Sequence, residues 1–253
     1  GAVEFRDVWF AYKEDDHVIR GINLTIERGE KVAVVGATGS GKTTLTNLLC
    51  RFYDIQSGSI LMDGIDVRDL KVSELRRRVG IVQQDVFLFS GTIADNIRLD
   101  SPEISDEQVA RAAEVVQADR FIASLPGGMD AEVKEGGSTF SSGQKQLVAF
   151  ARALAFDPQV LLMDEPFGAL DAQTREELQE LTVDVWQKTK KTVVYVTHNL
   201  AEAVFMGTRV VVFIPQPGRI REILTIDMPR PRDALSAEFI QTQRNINELI
   251  RDW

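Results

Sequence analysis

One run of small residues with a single lysine, Gly36-Ala37-Thr38-Gly39-Ser40-Gly41-Lys42-Thr43, has the spacing G-x-x-x-x-G-K-[ST], which is a pattern for holding phosphate. Glycines at 36, 39 and 41 let successive backbone N–H groups turn inward on phosphate oxygens. A helix expected from Thr43 to about Phe52 adds the positive end of its dipole beneath them. Lys42 is expected to reach the β- and γ-phosphates as a point charge, and Thr43 to give its hydroxyl to Mg²⁺. Thr38, Ser40 and Thr44 belong to the same stretch and are counted with its contacts. The run follows apolar Val32-Ala33-Val34-Val35, so its context is strand, turn, helix. A chance glycine-rich turn lacks that context.

A second candidate closes another apolar run. Val160-Leu161-Leu162-Met163 ends in Asp164-Glu165, which puts two acids at the carboxyl end of a buried strand, where α/β sheets bind ligands. Neighbouring strand residues point to opposite faces. Asp164 is therefore expected to approach the Mg²⁺, and Glu165 to face the γ-phosphate and polarise the attacking water. An acidic strand end in isolation is usually just solvated. Together with a phosphate loop in the same chain it reads as hydrolytic machinery.

The elements that must position these groups are legible in outline. Strands are expected at 3–12, 21–26, 31–35, 59–62, 79–82, 160–163, 192–196 and 209–213, with helices between several of them. That alternation implies an α/β fold: a P-loop core with a mixed, largely parallel sheet flanked by helices. An antiparallel β-subdomain precedes it, and a helical subdomain is inserted at about 95–155. The core is then 1–94 with 156–228, in one domain spanning 1–253. The tail at 229–253 opens on Pro229-Arg230-Pro231 and continues as an amphipathic helix with Phe239, Ile246, Leu249, Ile250 and Trp253 on one stripe.

Bulk properties narrow the class. The chain has 253 residues, enough for a core that needs no staples, and one cysteine, Cys50, which rules out an intramolecular disulfide and points to a reducing compartment. A net charge of −9 disfavours a general nucleic-acid grip but not one nucleotide held by local donors. Apolar runs such as 210–214 fall far short of a membrane span, for which roughly 20 residues are needed. With no basic and apolar leader at residue 1, a cytoplasmic location is expected.

A phosphate loop alone leaves kinases, GTPases, helicases and other motors open. Phe140-Ser141-Ser142-Gly143-Gln144, upstream of Asp164, resembles the Leu-Ser-Gly-Gly-Gln signature of ABC transporter ATP-binding cassettes, with Phe140 and Ser142 off pattern. Without that company it reads as a serine N-cap. The resemblance implies further roles. Tyr12 stands where the family stacks an aromatic ring on adenine, against the plain reading of a core aromatic. Gln84, rather than Gln83, corresponds to the glutamine that senses Mg²⁺ and water. Asp171 in Gly168-Ala169-Leu170-Asp171 corresponds to the loop bridging two subunits, and His198 to the switch histidine on the γ-phosphate. Ser141, Ser142, Gly143 and Gln144 of one copy would then complete the ATP site of another. Glu165, His198, Gln84 and Lys42 are the catalytic set, and Thr43, Gln84 and Asp164 hold the metal.

The resemblance thus implies ATP binding and Mg²⁺-dependent hydrolysis that drive a head-to-tail homodimer closed and open. The dimer would sit at the inner face of a membrane beside a transmembrane partner, with no nucleic acid involved. Two rivals are an ATP-binding scaffold with little turnover and a non-transport ABC ATPase. Residues 3–157 are similar to exporter cassettes, with Phe89-Ser90-Gly91-Thr92-Ile93 and Glu135-Gly136-Gly137. Residues 163–253, beginning with Asp164-Glu165-Pro166-Phe167-Gly168, are similar to nitrate, sulfonate and taurine importer cassettes. The expectation is a chimera joined between Phe156 and Asp164.

Overall fold

A computed structural model describes residues 1–13, 16–99 and 101–251. The chain forms two compact units, one built from Gly1–Arg76 with Lys190–Trp253 and the other from Arg77–Thr189.

The first unit carries two sheets. Val3–Ala11 pairs antiparallel with both His17–Ile26 and Ser57–Met62, and Ser57–Met62 pairs with the short strand Ile65–Asp66. This is the expected antiparallel subdomain, with its second strand starting at His17 rather than 21. In the other sheet Lys31–Gly36 lies parallel to Thr192–Thr197 on one side and to Arg209–Ile214 on the other, and Arg219–Thr225 closes the edge antiparallel. Every residue of Lys31–Gly36 and of Thr192–Thr197 is buried. Such strands read as continuous β-branched runs because both faces are covered. The helix after the phosphate loop is Lys42–Leu49, ending three residues earlier than expected. Arg51 takes a left-handed backbone (φ 50°), and its guanidinium donates to the carbonyls of Val67, Arg68 and Leu70, which turns the chain away before Phe52.

The C-terminal helix, Ala237–Arg251, buries Phe239 and Ile246 in a cluster with Ala33, Val35, Val204 and Val212, and Leu249 and Ile250 pack against its rim. The stripe read from sequence is therefore its core face. Trp253 lies outside the described residues.

The second unit holds a parallel pair, Val79–Gln83 with Val160–Asp164. It also holds the helices Ile93–Arg98, Asp106–Val115, Asp119–Ile122, Ser142–Ala155 and Ala172–Thr189. A two-residue antiparallel pair, Gly91–Thr92 with Glu132–Val133, interrupts the helical segment; it is too short to leave a periodicity in the sequence. Gly80 is forced here, because a Cβ would sit 2.3 Å from the Ala153 carbonyl oxygen.

Candidate functional site

In the first unit the phosphate loop leaves the sheet at Gly36, whose strand neighbours are Phe213 on one side and, through Val35, Thr197 on the other. A Cβ at Gly36 would lie 2.4 Å from the Phe213 carbonyl oxygen and 2.8 Å from Ser40 Oγ, so only glycine fits. Gly39 and Gly41 adopt φ of 80° and 94°, the left-handed region that a side chain resists. The helix Lys42–Leu49 begins with no side-chain cap, which leaves its first amides facing whatever the loop encloses. The Ser40 hydroxyl is fully buried and has no hydrogen-bond partner within the protein, and a phosphate oxygen in the loop would supply one. Lys42 Nζ lies inside the loop and donates to the Gly36 and Ala37 carbonyls at 2.8 and 3.0 Å. Thr38 and Thr43 are exposed and Thr44 is buried. The residues present fit a polyphosphate.

Tyr12 lies beside the same helix start. Its hydroxyl is 3.2 Å from Thr44 Oγ1, and its ring packs edge-on against Phe10 and Tyr53 at centroid distances of 4.8 and 5.0 Å. The ring edges are packed, as the plain reading has it, yet Tyr12 remains 48% exposed. Tyr53, also exposed, went unnoticed in the sequence because nothing links it to Tyr12 except the fold. A cavity of about 430 Å³ beside Gly39, lined by Asp16, His17, Arg20, Gln216 and Pro217, likewise left no sequence signal.

His198 follows Thr197, the partner of Val35, so it leaves the sheet next to the strand that feeds the phosphate loop. Its turn is held by a buried carboxylate. Glu202 accepts from Thr197 Oγ1 at 2.7 Å and from the Tyr195 hydroxyl at 3.1 Å, and Thr197 Oγ1 in turn accepts from the Asn199 amide at 3.0 Å. Asn199 caps the next helix, Leu200–Met206. Glu202 was not singled out from sequence, since a glutamate in an apolar helix ordinarily reads as its solvent face.

The second unit brings another group together. Gln83 pairs with Asp164, so Gln84 and Glu165 leave two neighbouring strands side by side. Glu165 takes a left-handed backbone (φ 48°), unusual for a residue other than glycine and a form of strain that gathers at functional sites. A Cβ at Gly168 would come within 3.1 Å of the Gln84 amide. Gln83 is instead a backbone acceptor for Gln146 Nε2 at 3.1 Å. Gln84, Asp85, Ser142, Lys145, Pro166 and Leu170 line a cavity of about 190 Å³.

Ser141 is the N-cap of the Ser142–Ala155 helix, in a reciprocal capping box with Gln144 at 3.1 and 3.0 Å. Ser141 and Ser142 are exposed. Gly143 is buried, and a Cβ there would sit 2.7 Å from Thr174 Cγ2. Asp171 accepts from the Thr174 amide at 3.0 Å, a bond that holds its carboxyl below the ordinary range. Both residues thus perform the plain capping role that their types suggest.

Among the described residues no cluster of three or more His, Cys, Asp or Glu exists to hold a metal.

Residues 19–168 match the family described as ABC transporter. A probable multidrug resistance ABC transporter ATP-binding/permease protein of Bacillus subtilis, YheH, is 46% identical over 201 residues, covering 79% of this chain and 30% of that protein. The B. subtilis ABC transporter ATP-binding protein YknV, itself uncharacterized, is 42% identical, covering 79% of the chain and 33% of its own length. A Staphylococcus aureus protein named for multidrug export as an ATP-binding/permease protein is 41% identical over 228 residues, 88% of the chain and 39% of that protein. Among solved structures, a bacterial Atm1-family ABC exporter with ATP bound superposes with a TM-score of 0.81 at 33% identity, over 98% of this chain and 41% of that one. The chain thus spans 30% to 39% of the length of these curated relatives.

Proposed function

The chain belongs to the ABC transporter family, whose ATP-binding domains hydrolyse ATP, and from that premise we propose that it is the motor domain of an exporter-type transporter. The observation that carries this reading is the phosphate loop: glycines that admit no Cβ, an uncapped helix start and a buried Ser40 hydroxyl without a partner. In the proposed mechanism Gly36, Thr38, Gly39, Ser40, Gly41, Thr43 and Thr44 bind the ATP phosphates, and Tyr12 stacks on the adenine. Lys42 exchanges its two loop carbonyls for the β- and γ-phosphate oxygens. Thr43, Gln84 and Asp164 would hold Mg²⁺, which when bound supplies positive charge to the phosphate oxygens. Glu165 orients a water and accepts its proton as the oxygen attacks the γ-phosphorus, the bond to the β,γ-bridging oxygen breaks and ADP leaves, and His198 steadies the γ-phosphate oxygens during the transfer.

In the same reading Ser141, Ser142, Gly143 and Gln144 of a second copy close over the γ-phosphate, and Asp171 bridges the copies. ATP then joins two chains head to tail, and loss of the γ-phosphate releases them. The exposed Ser141 and Ser142 support this. Ser142, bulkier than glycine, sits at the mouth of that contact. The helical segment 95–155 is the proposed inserted subdomain between core segments 1–94 and 156–228, with 229–253 as the tail. A membrane-spanning permease portion is the proposed partner, with this chain at the cytoplasmic face beside it, since the relatives that are ATP-binding/permease proteins extend well beyond this chain. No helix among the described residues is long and apolar enough to cross a membrane.

The chimeric reading finds no support. An alignment over 201 of the 253 residues cannot avoid 156–164, and a relative named for multidrug export aligns over 228 residues. We therefore treat the chain as exporter-like throughout and the importer-like wording after Met163 as local similarity.

The test is phosphate release from Mg²⁺-ATP, expected to rise faster than linearly with protein concentration and to collapse in Glu165→Gln. That variant should trap an ATP-bound dimer visible by size exclusion. Turnover indifferent to the substitution removes Glu165 from the reaction.

A further inference from the structure

Two arginines of the tail are turned inward. Arg232 is 7% exposed. It donates to the carbonyls of Val204, Phe205 and Gly207 at the C-terminal end of the Leu200–Met206 helix, and to those of Ile226 and Met228. Arg230, half-buried, donates to the Phe205 and Met206 carbonyls at 2.7 and 2.6 Å. The last carbonyls of a helix have no acceptor role inside it and carry the negative end of its dipole, so a guanidinium is a strong cap for them. Burying a cation is costly unless such bonds are made. A planar fork also reaches several carbonyls at once, which an ammonium does not.

The helix so gripped begins at the Asn199 cap, directly after His198. Near its first turn, Glu202 is tied to Thr197 and Tyr195 on the strand that ends before His198. Along its side, Phe239 and Ile246 of the terminal helix pack on Val204 and Ala203. Thus the seven-residue helix is pinned at one end to the strand and at the other to the tail, and the histidine rides on the turn between strand and helix.

We propose that residues 229–251 are an intramolecular clamp, with Arg232 as a positioning residue that fixes the turn bearing His198 and thereby sets the rate of γ-phosphate cleavage. The inference rests on the assignment of His198 made above. Because Arg232 touches no loop residue that would hold nucleotide, loosening the clamp slows turnover without weakening ATP binding.

The experiment measures kcat, KM for ATP and Mg²⁺-ATP affinity in the full chain for Arg232→Met, Arg232→Lys, His198→Ala and the two double variants. Arg232→Met should lower kcat about tenfold with KM within about twofold, and Arg232→Lys should restore part of the loss. In the His198→Ala background either substitution should change kcat by less than about twofold, because the group it positions is gone. A kcat untouched by Arg232→Met, or lowered by the same factor with and without His198, overturns the clamp. Where the Met variant no longer binds ATP, the Lys variant decides by the same comparison. If His198→Ala alone leaves kcat unchanged, the role of the histidine fails and takes the clamp with it. That outcome is distinct from a slow His198→Ala beside a normal Arg232→Met.

Discussion

Gly36→Ala puts one methyl group where the phosphate loop leaves the sheet. The added Cβ would stand 2.4 Å from the Phe213 carbonyl oxygen. Contacts under 3.0 Å essentially never occur, so something must retreat by at least about 0.6 Å. Neither neighbour yields easily, since Phe213 is paired with Gly36 in the sheet and Ser40 Oγ, the next atom at 2.8 Å, is buried. The overpacking should cost about 1–3 kcal/mol of stability, or roughly 2–12 °C in Tm at 2–4 °C per kcal/mol for a chain of this size. The larger effect falls on the ligand. A displacement approaching 1 Å in the amides that receive phosphate is worth on the order of 10²-fold in a site that depends on geometry.

Thermal melts with and without Mg²⁺-ATP separate the two effects. At ATP of 100 times the parent Kd, binding adds about 2.7 kcal/mol, whereas a 100-fold weaker site at the same concentration adds only about 0.4 kcal/mol. The control is Gly64→Ala, where the backbone is again left-handed (φ 81°) but a Cβ meets nothing within 4 Å. It should cost about 1–2 kcal/mol of backbone strain and keep the full ATP shift. An ATP-induced shift in Gly36→Ala equal to that of the parent refutes the account of the loop as a cradle that excludes a side chain.

Phe239→Ala should destabilise the first unit by about 3–5 kcal/mol, because a fully buried ring leaves a cavity under the terminal helix; urea unfolding gives the number. Glu202→Ala leaves the buried Tyr195 and Thr197 hydroxyls without their acceptor and should cost about 1–3 kcal/mol for each group stranded, while Glu202→Gln, which keeps an acceptor, should lose much less. Arg68 donates to both oxygens of Asp66 at 3.0 and 2.7 Å and so holds that carboxyl below its ordinary 3.8. A depressed carboxylate stabilises the fold above its ordinary pKa and ceases to do so as pH falls through the lowered value. The stability difference between the parent and Arg68→Met should therefore be at most about 1 kcal/mol at neutral pH and shrink under acid to what the bond from Arg68 to the Gly58 carbonyl contributes, as read by denaturant melts across pH.

The parts of the site that were legible in the sequence are those fixed by local spacing. The phosphate loop is eight consecutive residues between a strand and a helix, and Asp164-Glu165 end a strand that announces itself as an apolar run. Whatever depends on chain folded back from afar left no local mark. Arg230 and Arg232 read only as part of a proline-bounded break, because the helix-end carbonyls they hold, from Val204 to Gly207, lie more than twenty residues upstream. Tyr53 meets Tyr12 only through the antiparallel subdomain. Glu202 carries no local mark either, because its partners Tyr195 and Thr197 lie on the preceding strand. The overextended helix to Phe52 has the same origin: propensity continues past Leu49, and only Arg51, tied to carbonyls of a later loop, turns the chain.

The reciprocal bonds at the start of the Ser142–Ala155 helix have a chemical corollary. A hydroxyl offers one proton and two lone pairs, and the Gln144 amide takes a single lone pair of Ser141. The proton remains for an incoming anion, so the atom that starts the helix can greet a guest without letting the helix go. Threonine at this position keeps both capacities, whereas alanine forfeits them together, and an alanine scan would mistake a frayed helix for a lost handshake.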